Sequence, residues 1–290
     1  MKKETAEHIT GLFIAALEKG TVPWKKPWSG SGEYPRNYYS GHKYRGINTL
    51  ILGLTADAMG YKSPCWTTYK AAEQRGAYVR KGEHATKIVF WKPLKVEDRA
   101  TGEDKMTVIA RLYSVFNTDQ IDGIDWQPPE IEHEPISVPD TLDKIMAEYP
   151  EPPAFRWQQQ DRAYYSPGRD EIVLPNVAQF PTVEGYAETL LHEMTHSTGH
   201  AKRLHRFEIG DHFDGGYAKE ELVAEIGASM LMQEAGITMG VTDNTAAYVA
   251  NWLKALNDDH TLIIKAAQQA QKSCDHILDA ASAVDAEAAA

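Results

Sequence analysis

The 290-residue sequence predicts an α+β protein of two domains, residues 1–121 and 140–290, joined by a linker over 122–139. Three observations carry that expectation. Three helix-period segments followed by two strand-period segments make a compact α+β unit of roughly 120 residues at the front of the chain. The stretch "DGIDWQPPEIEHEPISVP" that follows is acidic and Pro-rich, the composition of an extended linker. Charge also changes sign nearby: residues 1–125 hold 19 Lys and Arg against 14 Asp and Glu, whereas residues 126–290 hold 11 against 27.

Taken in order, Ile9, Leu12, Phe13, Ala16 and Leu17 recur at helical spacing and stop at Gly20, a residue suited to the position just past a helix end. Gly, Pro and Ser then break all periodicity through "TVPWKKPWSGSGEYPRNYYSGHKYRG", which reads as a loop. Ile47, Leu50, Ile51 and Leu54 start a second helix that closes near Gly60, and Thr67 to Arg75 forms a third, closed by Gly76. "KIVFWKPL" and "MTVIARLYSVFN" flank the polar "EDRATGEDK" and predict a hairpin with its turn near Thr101 and Gly102. Beyond the linker, Leu142, Ile145 and Met146 mark a helix, and "FRWQQQDRAYYSPGRDEIVLP" supplies short strands around a turn from Ser166 to Asp170. Four helical patterns finish the chain: Val183 to His200, Tyr217 to Ala235, Asn244 to Leu256 and Thr261 to Ala281.

Composition excludes several classes. No run of about 18 apolar residues exists, so no membrane partner is expected. Glu4, Glu7 and His8 interrupt the region where a secretion signal needs unbroken apolar residues. Only Cys65 and Cys274 are present, too few for a disulfide framework or a thiolate cage, and the expected compartment is the reducing cytoplasm. The net charge of −11 argues against general polyanion binding, yet the excess of cations in residues 1–125 points to a polyanion partner for the first domain.

"LLHEMTH" places His192, Glu193 and His196 in H-E-x-x-H spacing inside a helix-period pattern. Residues four apart on a helix lie about 40° apart around the axis and roughly 6 Å along it, so both imidazoles face the same way and suit one metal ion. Glu193, about 100° around from His192, can reach a water on that ion without ligating it and is the expected general base. Zinc is the expected ion, since it lowers the pKa of its water from about 9 toward about 7; Mn2+ or another divalent ion suits the same donors.

A catalytic zinc takes three protein ligands and keeps one position open. One branch of H-E-x-x-H enzymes continues as H-x-x-G-x-x-H. Here Gly199 is in place, but Lys202 stands where the last His belongs, and an ammonium cannot ligate. His200, four residues after His196 on the same predicted helix, fits a supporting or surface role. "YAKEELVAEIGASML" offers Glu221 and Glu225 one turn apart on an apolar face, where carboxylates need a reason. Glu221 is assigned as the third ligand and Glu225 as the carboxylate that orients a histidine by accepting its other N–H. Glu220 is expected to face solvent.

"PWKKPW" and "YPRNYYSGHKYRG" interleave Trp24, Trp28, Tyr38, Tyr39 and Tyr44 with Lys25, Lys26, Arg36, Lys43 and Arg45, and "YVRKGEHATK" adds Arg80 and Lys81. Flat rings stack on unpaired bases while cations follow phosphates. Duplex bases have no free faces, so single-stranded DNA is the expected partner.

These motifs together resemble the ArdC-type plasmid antirestriction proteins over nearly the whole length. "VPWKKPW", "YRGIN", "VRKGE" and "YSVFNTDQI" resemble their single-strand-binding domain, which is also found fused to conjugation primases. "AYYSPGRDEIVLP", "LLHEMTHSTGH" and "EELVAEIGA" resemble their zincin-like metallopeptidase domain. The resemblance implies binding of transferred plasmid DNA and its protection from host restriction endonucleases; it does not say what is cut, and a host protein substrate or restriction enzyme is a separate expected partner. The resemblance also carries His192, Glu193, His196 and Glu221 onto metal-site positions. Two other readings stand beside it: a metalloprotease that depends on single-stranded DNA and cuts DNA-bound proteins, and a catalytically silent protein that shields DNA.

Overall fold

The computed structural model describes residues 3–25, 33–97, 104–127, 137–207, 216–238 and 245–279. The chain divides into two compact units, one containing Met1–Gly11 and Trp28–Pro128, the other Leu12–Pro27 and Pro129–Ser282. Helix α1, Lys3–Glu18, is divided between them and is followed by Gly20 at φ 76°, a left-handed conformation that glycine adopts without a Cβ clash.

The first unit is built on a four-stranded sheet in the order β1 (Arg36–Asn37), β2 (Cys65–Thr67), β5 (Asp104–Asn117), β4 (Thr86–Glu97). β1 and β2 run parallel and the other neighbours antiparallel. β4 and β5 pair without a break from Thr86 opposite Val115 to Glu97 opposite Asp104. This is the hairpin the alternating segments predict; its turn, with Thr101 and Gly102, lies outside the described residues. Helix α2, Ile47–Met59, contributes Leu52 and Ala56 to a core with Tyr44, Trp66, Ile88 and Val115. Buried Asn48 on α2 donates to the Val89 carbonyl at 2.7 Å and accepts from the Val89 N–H at 2.8 Å, satisfying both polar groups of that residue. Helix α3, Tyr69–Glu73, is shorter than its sequence pattern because Thr67 stays in β2 and Thr68 caps the helix, accepting from the Ala71 N–H. A second, two-stranded sheet pairs β3 (Tyr78–Val79) with β6 (Ile121–Asp122).

Besides Leu12–Pro27, the second unit contains α4, Val138–Glu148, whose Ser137 cap accepts from the Asp140 N–H and whose first turn contains Pro139. The stretch 122–139, expected as an extended linker, therefore has regular structure at both ends, because Ser137 and Pro139 are helix-starting residues; its middle, 128–136, lies outside the described residues. A three-stranded sheet follows in the order β7 (Ala154–Gln158), β9 (Glu171–Pro175), β8 (Tyr164–Ser166). The central strand buries Ile172, Val173 and Leu174 completely, as a strand covered on both faces does. Four helices complete the unit: α5 (Val183–Ser197), α6 (Gly216–Glu234), α7 (Thr245–Asp258) and α8 (Leu262–Ile277). α6 packs against both α5 and α8, and Leu222, Val223, Ala224 and Ile226 are all buried, so it has little free face. No described helix is long and apolar enough to cross a membrane.

Candidate metal centre

Helix α5 starts where Thr182 accepts from the Gly185 N–H, and ten residues of amphipathic helix carry the chain to His192. Helix α6 comes close beside it. A Cβ on Gly227 would overlap Cγ2 of Thr195 and lie 2.8 Å from its Oγ1, so glycine is what permits the approach. The consequence is a tight triangle of donors. His192 Nε2 and His196 Nε2 are 3.0 Å apart, Glu221 Oε2 is 3.6 Å from the first, and Glu221 Oε1 is 3.4 Å from the second. Donors about 2.0–2.2 Å from one tetrahedral ion must lie roughly 3.3–3.6 Å from each other, and neighbours around an octahedral ion roughly 3.0 Å. The triangle fits a divalent cation, and among the described residues it is the group of His and carboxylate side chains close enough to hold one. Glu193 is buried at the next position to His192 on the same helix.

The electrostatics are those of a cation site. Burial alone would pull the His196 imidazole down, but hydrogen bonds to Glu220 and Glu221 and the charges of Glu193 and Glu221 raise it to about 10. Burial pushes the Glu221 carboxyl up, and hydrogen bonds from His192 and His196 reverse this and hold it well below the usual carboxylate range. The side chains thus hold a proton where a metal would bind, and the two must compete.

Glu220, expected to face solvent, lies instead against His196 Nδ1, the place expected for Glu225. His196 Nδ1 lies 3.3 Å from Glu220 Oε1, which also accepts from Arg206 Nη2 at 2.7 Å, while Arg206 Nε donates to Glu220 Oε2 at 3.3 Å. The buried Arg206 guanidinium further donates to Thr198 Oγ1, Ser273 Oγ and the Thr195 carbonyl, which locks it against α5 and α8. Glu225 instead pairs with Lys25. Glu220 faces protein because α6 is buried nearly all round. No sequence motif announces Arg206, which lies in the loop after α5.

Helix α5 ends at Ser197, so His200 is not on it; the chain turns back and brings His200 Nδ1 to 3.8 Å from Asp170 Oδ2. Lys202, the residue in place of a third histidine, sits 3.7 Å from the same oxygen. The Arg203 side chain is fully buried and ties this corner together, donating to the Ser197 and Glu151 carbonyls, to Tyr165 Oη at 3.1 Å and to Asp170. Gly199 serves the same turn: a Cβ there would lie 2.8 Å from Cε1 of the Phe207 ring.

The residues expected to contact DNA separate into groups. Tyr38, Tyr39 and Lys43 lie on one tight turn closed by the Arg36–Lys43 bridge, with Asn37 Oδ1 accepting from the Tyr39 and Ser40 N–H groups. Tyr38 and Tyr39 meet edge to face at 5.0 Å, Lys43 Nζ lies 4.9 Å over the Tyr34 ring, and Arg75, which sequence reasoning passed over, lies 4.2 Å over the Tyr39 ring. Arg36 is paired with Glu33 at 3.0 Å, and Arg80 with Glu83 at 3.2 Å and Asp122 at 3.5 Å. Arg45 is half-buried and Lys81 exposed. Tyr44 and Trp24 are no stacking platforms, because both are core residues: Tyr44 in the first unit, Trp24 wholly buried in the second with its ring edge-on to Trp252 at 5.1 Å. Lys25 belongs to the second unit as well, and Lys26 and Trp28 lie outside the described residues.

Comparison with known proteins matches the two parts of the chain to two different families. Residues 3–116 match the family described as the N-terminal domain of anti-restriction factor ArdC, and residues 143–269 match the zincin-like metallopeptidase family. The metal-free crystal structure of the antirestriction ArdC protein from plasmid R388 is 40% identical, with a TM-score of 0.78, over 95% of this chain and 97% of that one. The chain belongs to the ArdC antirestriction family. The Mn(II)-bound structure of the same R388 protein is 39% identical, with a TM-score of 0.79, over 96% of this chain and 98% of that one. The DNA primase TraC of Escherichia coli is 38% identical over 298 residues, 96% of this chain but 27% of the primase. This chain therefore spans about a quarter of that relative's length. Its fold is α+β, an ArdC N-terminal domain followed by a zincin-like domain, as in other members of the ArdC family.

Proposed function

We propose that this chain is a cytoplasmic antirestriction protein that binds single-stranded DNA through its first unit and a divalent ion, zinc or manganese, through His192, His196 and Glu221. It protects plasmid DNA entering by conjugation from host restriction, and its zincin-like unit hydrolyses a peptide bond in a host protein, a restriction enzyme being the natural candidate. The observation that carries the metal half of this reading is the triangle of three donors 3.0–3.6 Å apart contributed by two helices. The DNA half is supported by the turn that displays Tyr38, Tyr39 and Lys43, and by kinship with an antirestriction protein.

A divalent ion held by these donors would supply Lewis acidity and an acidified water. The remaining work falls to side chains. Glu193 takes the proton as water oxygen adds to the carbonyl carbon, then delivers it to the departing amine nitrogen as the C–N bond breaks. Glu220 keeps the His196 Nδ1 proton in place, which leaves Nε2 as the donor and fixes the ring's orientation. Arg206 balances the Glu220 charge so that this carboxylate stays ionised in a buried setting.

The deciding experiment compares wild type with Glu193→Ala in a conjugation assay scored for survival of unmodified plasmid DNA, with oligonucleotide binding measured in parallel. Loss of protection at undiminished strand affinity is the expected result. Full protection by the variant would remove hydrolysis from the role and leave DNA shielding in its place.

A further inference from the structure

A charged triad from three separate segments lies one helical turn from the metal donors. Glu188 precedes His192 by four residues on α5, and Glu225 follows Glu221 by four on α6, so each stands on its helix's donor-bearing face. Between them sits an ammonium. Lys25 Nζ is 3.0 Å from Glu188 Oε1 and 3.5 Å from Glu225 Oε2, and the three side chains are only 13–18% exposed. Glu188 Oε2 is buried with no hydrogen-bond partner among the described residues, so the Lys25 cation is the main compensation for that carboxylate. Burial pulls the ammonium's pKa down, but the charges of Glu225 and Glu188 more than offset it and keep Lys25 protonated. The segment bearing it is firmly seated: Trp24 is wholly buried against Trp252, and its carbonyl accepts from Ser229 Oγ on α6.

We propose that Lys25 is a positioning residue for the metal centre, its ammonium cancelling the repulsion between Glu188 and Glu225 so that α5 and α6 stay close enough for Glu221 to meet His192 and His196. This rests on the metal-binding reading above. Without the cation, two carboxylates buried in a medium of low dielectric push apart the same pair of helices whose separation sets the donor triangle. A structural role alone would show in the stability of the protein; a positioning role must show in how tightly the ion is held.

The test titrates full-length wild type, Lys25→Met, Lys25→Arg and the triple variant K25M/E188Q/E225Q with Mn2+, following the free ion by electron paramagnetic resonance, and records each metal-free unfolding temperature. The expectation is a Kd about 10–100-fold weaker for K25M, the range for groups that support metal ligands, and recovery to within about threefold for K25R and the triple variant. Where K25M does not fold, K25Q replaces it with the same expectations. Equal affinity in wild type and K25M would overturn the proposal. So would a lowered unfolding temperature with an unchanged Kd, or a triple variant as weak as K25M. Failure of wild type itself to bind Mn2+ would overturn the metal reading, and this proposal with it.

Discussion

His196 and Arg206 share one oxygen: Glu220 Oε1 is 3.3 Å from the imidazole Nδ1 and 2.7 Å from the guanidinium Nη2. That shared acceptor makes Glu220 answerable to two readouts. Glu220→Ala should weaken Mn2+ binding about 10–100-fold and, by leaving Arg206 buried without its counter-charge, lower stability by about 3–5 kcal/mol. Glu220→Gln keeps an acceptor and should fall between. Mn2+ titration and denaturant unfolding of the metal-free protein read the two effects separately, and an unchanged Kd in E220A would sink the orienting role.

Gly227→Ala should be disproportionately costly for so small a change. The added methyl would overlap Thr195 Cγ2, and overpacking of this kind costs about 1–3 kcal/mol while forcing α6 away from α5. Thr195→Ala in the same chain removes both Cγ2 and Oγ1, leaving the new methyl 3.2 Å from the remaining Cβ, and should restore most of the loss. Thermal unfolding of the single and double variants decides the matter.

Metal affinity should climb with pH through neutrality. In the metal-free protein His196 is raised to about 10, so at pH 7 a proton must leave before Nε2 can ligate. The raised pKa means protonation competes at every pH below it, and affinity should increase by about tenfold per pH unit between pH 6 and 8. Calorimetry in buffers of different ionisation enthalpy should show about one proton released per ion bound. A Kd independent of pH across that range would contradict this.

Acid should act on the corner held by Asp170. Burial pushes this carboxyl up, but hydrogen bonds from Arg203 and Tyr165 outweigh it and hold it below the ordinary 3.8. A group lowered on folding stabilises the protein above its unfolded pKa and loses that contribution as pH falls through the folded one. Asp170→Asn should therefore cost most near neutral pH, and its stability difference from wild type should shrink below about pH 4. Urea unfolding at pH 7, 5 and 3 tests the trend; a difference that grows on acidification would refute it.

For DNA, Tyr39→Ala should weaken binding of a fluorescent single-stranded oligonucleotide by about 1–3 kcal/mol, the worth of one stacked base. Lys43→Ala should reduce the salt slope of log K by roughly 0.7, one phosphate contact on a single strand. Tyr44→Phe, a core change that removes only a hydroxyl, should leave both quantities unchanged. Anisotropy titrations across a salt series measure all three.

Much of this was legible in the residues. Period and turn chemistry located α2, the β4–β5 hairpin, the strands flanking Asp170 and the helix carrying His192 and His196, because those signals are local. That His192 and His196 share a face was legible too, since helical spacing fixes it within one helix. What escaped depends on tertiary burial. Glu220 and Glu221 are neighbours in sequence, and only the enclosure of α6 makes both face inward. Arg206 looks like any loop arginine until the fold closes over it. Trp24 and Lys25 read with the aromatic and basic residues around them because composition is a property of sequence neighbours, whereas the chain passes from one compact unit to the other just beyond them.

That last feature has a practical meaning for how such a protein can be cut and recombined. Since Leu12–Pro27 and Pro129–Ser282 form one body, the stretch between them is an insert with two seams, one near residue 27 and one near residue 129. Swapping Trp28–Pro128 between homologues calls for paired junctions, not a single crossover, and Met1–Gly11, which belongs with that module, adds a third seam within α1. A fragment begun at residue 140 would leave open the socket that the Trp24 indole fills, and a peptidase prepared that way would report on a damaged body.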